Sequence, residues 1–410
     1  MAARAFSIRL ILVYVALFLT IGIYLPFFPV WLKERGLSET EIAFLLSGTI
    51  AIRIISGPLI AFLADKSGQH RRILLALCLG VAGFVVAMAF SSGFLALLAL
   101  SVAGTFIWAP VMPMIETYAV RESGLYGVDY GRLRLWGSLS FIAAGLAGGL
   151  LLDFISAEAI ITTLVATHLL MFFACRMLPP ERAEADSEEE AITPGGLRLS
   201  HAVRLLTHPL FLVFLLAAGL GQASHAVIYG FGSLHWRELG LPGGTIGILW
   251  GAGVAAEVLL FAYSGQSLKR FGAAGLILVA ALAGIVRWSI TANDPAFALL
   301  FAIQMLHALT FAAAHLGALH FINQAIPRAL QATAQGVYYA FGVSLLMSIA
   351  TIVAGDIYST HGAYAFYCAS AMSAVAAVFA WRLQAQWCGG RITTTPTGPP
   401  VLDASQSRQT

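Results

Sequence analysis

The chain has 410 residues, 59% of them hydrophobic and 10% charged, with a formal net charge of +3. Soluble domains carry about 25% charged residues, so this composition excludes an ordinary water-solvated globular surface. The four cysteines show no CxxC or metal-ligand spacing, which argues against a disulfide scaffold, a zinc site or any other metal.

Apolar blocks such as 10–29, 73–90 and 296–319 match the ~20 residues a helix needs to cross a ~30 Å hydrocarbon core. They lack the alternation of barrel strands, and the 40 glycines suit close helix packing in lipid. The first block is too long for a signal-peptide core and has no small-residue cleavage site before Trp31, so it reads as a retained helix. In chain order the predicted helices are 7–32, 41–64, 72–90, 94–120, 133–153 and 157–178, then 209–233, 243–265, 273–291, 295–322, 332–355 and 363–385. Between the two sets lies a polar linker, 179–208, holding the run Glu188-Glu189-Glu190 and the turn Pro194-Gly195-Gly196. Residues 389–410, rich in Thr, Pro and Ser, read as a disordered cytoplasmic tail. The expected organisation is a six-helix N-terminal bundle (1–178), the linker, a six-helix C-terminal bundle (209–388) and the tail. Lys and Arg concentrate in one set of alternate loops, leaving Lys33, Arg35 and Arg237 on the other side, so both termini are expected in the cytoplasm.

The halves resemble each other. Trp31-Leu32-Lys33-Glu34-Arg35-Gly36-Leu37 ends the first helix and Trp236-Arg237-Glu238-Leu239-Gly240-Leu241 ends the seventh. Leu37 with Leu241, and Ile42 with Ile246, match at an offset of 204, which also pairs Arg53 with Glu257. A repeat of six-helix halves is the mark of transporters that rock two bundles around a midplane site.

After the second helix the chain reads Ala61-Phe62-Leu63-Ala64-Asp65-Lys66-Ser67-Gly68-Gln69-His70-Arg71-Arg72. This resembles the signature loop of the major facilitator superfamily, with Ala61 in place of the first Gly and Gln69 at a basic position. Asp65, Lys66, Gly68 and Arg71 are the expected gating-loop residues: a carboxylate at a helix end can engage a neighbouring helix, with bases beside it. The run from Asp129 to Ser138, together with 306–311 and His315, is similar to the phenylpropionate permease family. A more distant resemblance, to lactose permease-type proton symporters, implies that Glu116 and Arg134 bind substrate and that Arg287 and His307 stand 20 positions apart as a pair. Thr310 and Val343 depart from that pattern, occupying positions of a proton-carrying Glu and an ion-paired Lys.

Ionisable groups inside a bilayer are costly and mark function. Here they are Arg53, Glu116, Arg134, Glu257 and Arg287, with His225, His307 and His315. Helical spacing puts Gln304, His307, Phe311 and His315 on one face. Gln222, His225 and Tyr229 share another, as do Gln335 and Tyr338 (with Tyr339 beside it), and Trp250 and Glu257. These faces are expected to line a cavity. Three arginines against two glutamates leave one excess positive charge, which a substrate carboxylate would complete. The combined expectation is an all-α major facilitator superfamily fold of twelve transmembrane helices in a bacterial inner membrane, a monomer in the lipid bilayer with no nucleic-acid partner. Its function is proton-coupled symport of a small arylalkyl carboxylate such as 3-phenylpropionate. Glu257 is the first and His307 the second proton carrier, no cofactor is required, and the absence of a P-loop removes ATP as the energy source. A sugar or nucleoside symporter is the alternative. A membrane acyltransferase using His320 and Asn323 is the remote one.

Overall fold

The computed structural model describes residues 2–179 and 199–392. The acidic run of the expected linker and the tail beyond 392 lie outside the described residues. Those residues form helices and turns, without a strand. Among the described residues, eleven helical stretches are long and apolar enough to cross a membrane. The last, Arg328–Gln386, runs for 59 residues, about 90 Å of helix at 1.5 Å per residue. It breaks at the 3₁₀ turn Gly362–Tyr364, where Gly362 takes a φ of +54°. Ten spans plus these two passes make twelve.

They are α1 (Ala3–Glu34), α2 (Glu39–Ser67), α3 (His70–Ala89), α4 (Phe94–Tyr126), α5 (Tyr130–Phe154), α6 (Glu158–Met177), α7 (Pro209–Glu238), α8 (Gly243–Ala262), α9 (Ser264–Thr291), α10 (Phe297–Ala325), α11 (328–361) and α12 (Ala365–Gln386). Local chemistry sets many of the ends. Ser38 and Glu41 form a capping box at the start of α2, and Asp129 accepts from the Arg132 N–H to open α5. Pro209 occupies the first turn of α7, where its missing N–H costs nothing. Within α4, helix stops at Trp108 and resumes at Val111, because Pro110 cannot donate to the turn before it.

The internal repeat has a geometric counterpart. Gly36 and Gly240, 204 positions apart, both take left-handed φ values, +83° and +80°. At each, the next residue donates back across the helix end: Leu37 N–H to Leu32 O and Leu241 N–H to Trp236 O. This is the same six-to-one cap twice. At the same offset Gly68 and Gly272 have φ of +63° and +65°. Gly272 kinks α9, which separates its membrane part from a short lead-in helix and matches the predicted start at 273.

Contacts group the chain into two compact units. The first comprises Met1–Glu184, Val227–Val258 and Thr351–Ala363; the second comprises Ala185–Ala226, Leu259–Ala350 and Tyr364–Thr410. Helices α7, α8 and α11 are thus each divided between them. In the first unit, Phe6, Leu10, Tyr14 and Leu17 of α1 are buried with Ile115 and Tyr118 of α4 and Met171 and Cys175 of α6. In the second, Phe214, Phe321, Tyr338 and Trp387 centre the core. That core reaches past the expected start of the tail: Ile392 is buried in it, and its N–H donates to Ala325 O at 2.7 Å. Of residues 389–392, Ile392 alone is buried, while Gly389 and Arg391 are exposed.

Candidate functional site

In the second unit, α7, α9 and α10 bring a polar cluster into an apolar interior. Arg287 is 2% exposed. Its guanidinium donates to Gln304 Oε1 at 2.8 Å, to Thr310 Oγ1 at 2.8 Å and to His307 Nδ1 at 3.3 Å. The Trp288 ring lies 4.4 Å from the guanidinium carbon, and its indole N–H is tied to Ser224 Oγ at 3.0 Å. Side chains of this kind hold a guanidinium by direction as well as charge. His225, fully buried, sits between Gln222 O (Nδ1, 3.1 Å) and Thr310 Oγ1 (Nε2, 3.1 Å). Because a carbonyl only accepts, the bonds run Arg287 to Thr310, Thr310 hydroxyl to His225 Nε2, and His225 Nδ1–H to Gln222 O. Accepting from Arg287 likewise requires a bare Nδ1 on His307. Gln304, only 3% exposed, faces its oxygen to Arg287, and its Nε2 has no hydrogen-bond partner among the described residues.

The stripe expected on α10 forms a column of rings. His307 and Phe311 stack at 5.1 Å with 11° between planes, and Phe311 and His315 at 6.3 Å with 6°. A π-helical segment, Ala308–Ala313, begins immediately after His307. Two more occur at Ile228–Gly232 in α7 and Tyr338–Leu345 in α11. Such segments add a residue to a turn and re-aim side chains, often at functional sites. The helical periodicity of the sequence carried no sign of them. Tyr338 is enclosed in the core, 5.6 Å from Phe214, whereas Tyr339 is exposed with Gln335 as its hydrogen-bond partner.

The other expected residues belong to the first unit. Arg134 Nε lies 2.9 Å from Glu116 Oε1. Glu116 also accepts from the hydroxyls of Tyr14, at 3.0 Å, and Tyr130. Phe18 and Tyr14 flank the Arg134 guanidinium at 4.7 and 5.8 Å. Glu116 and Arg134, which the likeness to lactose permease-type symporters singles out, thus form an ion pair; Tyr130 belongs to the run 129–138, whereas Tyr14 has no signature in the sequence. Arg53 is exposed and lies beside Tyr24, which bonds Thr49. Both line a small cavity inside α1–α4 and α6 that also meets Trp108 and His168. Trp250 donates to Ser233 Oγ at 2.9 Å and stacks 6.1 Å from Tyr229. Glu257 is half-buried on α8.

In the signature loop, Gly68 caps α2 in the left-handed conformation. Asp65 contacts His70 at 2.9 Å, so the carboxylate does reach the first residue of the next helix. Arg71 donates to Arg176 O at the end of α6, and Lys66 is exposed. Although Val343 leaves the ion-pair position apolar, Tyr358 of α11 bonds Glu238 at 2.9 Å and His235 at 3.2 Å at the end of α7. The tie is made by a phenol, nearer the helix ends.

Residues 7–369 match the model of the MFS_1 like family. The chain belongs to this family. Among curated relatives, a probable 3-phenylpropionic acid transporter of Escherichia coli K12 is 32% identical over 372 residues, covering 89% of this chain and 94% of the relative. A maltose permease of Geobacillus stearothermophilus is 29% identical over 347 residues, covering 84% and 86%. Among solved structures, the nucleoside transporter NupG superposes with a TM-score of 0.79 at 17% identity, over 93% of this chain and 98% of that one, which establishes the shared fold. This MFS_1-like protein is a multi-pass major facilitator superfamily transporter with a small-molecule substrate. Family and relatives are transporters, and so the acyltransferase reading built on His320 and Asn323 is overturned.

Proposed function

We propose that this protein is a proton-driven symporter of a small aromatic or arylalkyl carboxylate, working by alternating access as a monomer in a bacterial inner membrane. One observation carries the reading: Arg287 is buried with its guanidinium held in a fixed direction, beside the unpartnered donor Gln304 Nε2. A guanidinium fork and an adjacent amide N–H match the two oxygens of a carboxylate. The ring column of His307, Phe311 and His315 on the same helix offers faces for an aryl body. The likeness to a probable 3-phenylpropionic acid transporter supports the same class. Glu257 is the first residue to test for the proton and His307 the second; the gradient itself supplies the energy, without a cofactor.

A sugar or nucleoside is the second reading, favoured by the Glu116–Arg134 pair, whose internal charge balance suits hydroxyl recognition. Uptake of labelled 3-phenylpropionate into proteoliposomes, with maltose and uridine as competitors, separates them. Uptake that Arg287→Gln abolishes and neither competitor lowers supports the carboxylate. Undiminished uptake in Arg287→Gln, or strong competition by maltose or uridine, moves the assignment to a neutral substrate.

A further inference from the structure

At the loop end opposite the Asp65 loop, α5 of the first half and α8 of the second half meet inside one compact unit. The meeting faces are glycines spaced four apart: Gly145 and Gly149 on α5, Gly243 and Gly247 on α8. A methyl group on Gly149 would collide with the Gly243 carbonyl, and one on Gly247 with the Gly145 carbonyl and, at 2.8 Å, Leu146 Cα. Bare backbones are thus in contact, the arrangement small residues permit between membrane helices. Beyond the glycines, the Asp153 carboxylate closes the contact. Its two oxygens accept from the first two N–H groups of α8, Gly243 at 2.6 Å and Gly244 at 2.8 Å. Those donors have no partner within their own helix, and the helix dipole adds to the attraction for a carboxylate. Asp153 itself remains exposed to solvent, so water can take over its oxygens when the helices part.

We propose that Asp153 is a conformational latch: its carboxylate, seated on the N-terminus of α8, holds the two halves together at this end and biases the transporter toward the state in which this end is shut. The glycines allow the approach, and the carboxylate supplies a directional bond that exists only when the approach is complete. Part of the bias comes from a residue of the first unit, whereas the Arg287 cluster belongs to the second. The inference rests on the alternating-access reading, in which this contact must open and close during each cycle.

The test measures the distance distribution between spin labels on Ser156, just past α5, and Leu239, just past α7. It uses the full-length protein in lipid nanodiscs, with the four native cysteines replaced. Asp153→Asn keeps the shape but offers one oxygen and a repelled NH₂ group. It is expected to raise the ratio of open to shut populations at this end by about three- to tenfold. Gly149→Ala, which wedges the helices apart, provides the reference for an opened end. An unchanged distribution in Asp153→Asn alongside an opened one in Gly149→Ala overturns the latch while leaving alternating access standing. A distribution that moves in neither variant overturns both.

Discussion

Arg287 owes its fixed position to groups that are weak one at a time: an amide oxygen, a hydroxyl, an imidazole nitrogen and an indole face. Lysine keeps the charge but loses the fork, so it cannot reach Gln304 and Thr310 together. Arg287→Lys is expected to lower the uptake efficiency for a carboxylate by about ten- to hundredfold, read from initial rates in proteoliposomes. At Glu116, Tyr130→Phe removes one donor from a carboxylate that keeps Arg134 and Tyr14. The expected cost is about 1 kcal/mol of stability, seen as a lower unfolding temperature in detergent. The resemblance to lactose permease-type symporters makes the pairs Glu116–Arg134 and Arg287–His307 legible. Thr310, Trp288 and Tyr14 are not legible in the same way, since a threonine or an aromatic ring in an apolar helix carries no signal of its own. Their roles arise from bonds to residues 85, 64 and 102 positions away.

Helix existence and approximate bounds follow from apolar run lengths, but departures from ideal helix do not. The π segments in α7, α10 and α11 keep a helical composition, and what distinguishes them is a change of hydrogen-bond partner that no residue type announces. Glycine is legible as a packing residue in general, while the structure separates the positions that pack from those that do not. A Cβ on Gly219 of α7 would lie 2.7 Å from Gly342 Cα and 2.9 Å from Leu346 Cδ1 of α11, whereas one on Gly221, two residues along, meets nothing. Gly219→Ala is expected to cost about 1–3 kcal/mol through forced separation of the helices. Gly221→Ala is expected to be neutral or stabilising by up to about 1 kcal/mol. Thermal unfolding of the two variants side by side checks the contrast.

For the whole molecule, the coupling proposal makes an expectation that no single residue can. With the proton gradient collapsed, the protein should cease to accumulate a labelled carboxylate against its gradient yet still exchange it for unlabelled substrate across proteoliposome membranes. Unaltered accumulation would point to another energy source. The class of the molecule was determined by sequence alone, because burying about twenty apolar residues at a time in lipid leaves helical spans as the available solution, and because the repeat at offset 204 is written in residues such as Leu37 and Leu241. The signature loop placed the family on the same footing. Only tertiary structure decided that α7, α8 and α11 are shared between two compact units, that Tyr358 ties α11 to α7, and that Asp153 sits on the start of α8. The physical reason is one of range. Hydrophobicity and capping act within a few residues and can be read along the chain, whereas these contacts join residues about 90 to 120 positions apart and exist only once the helices have packed.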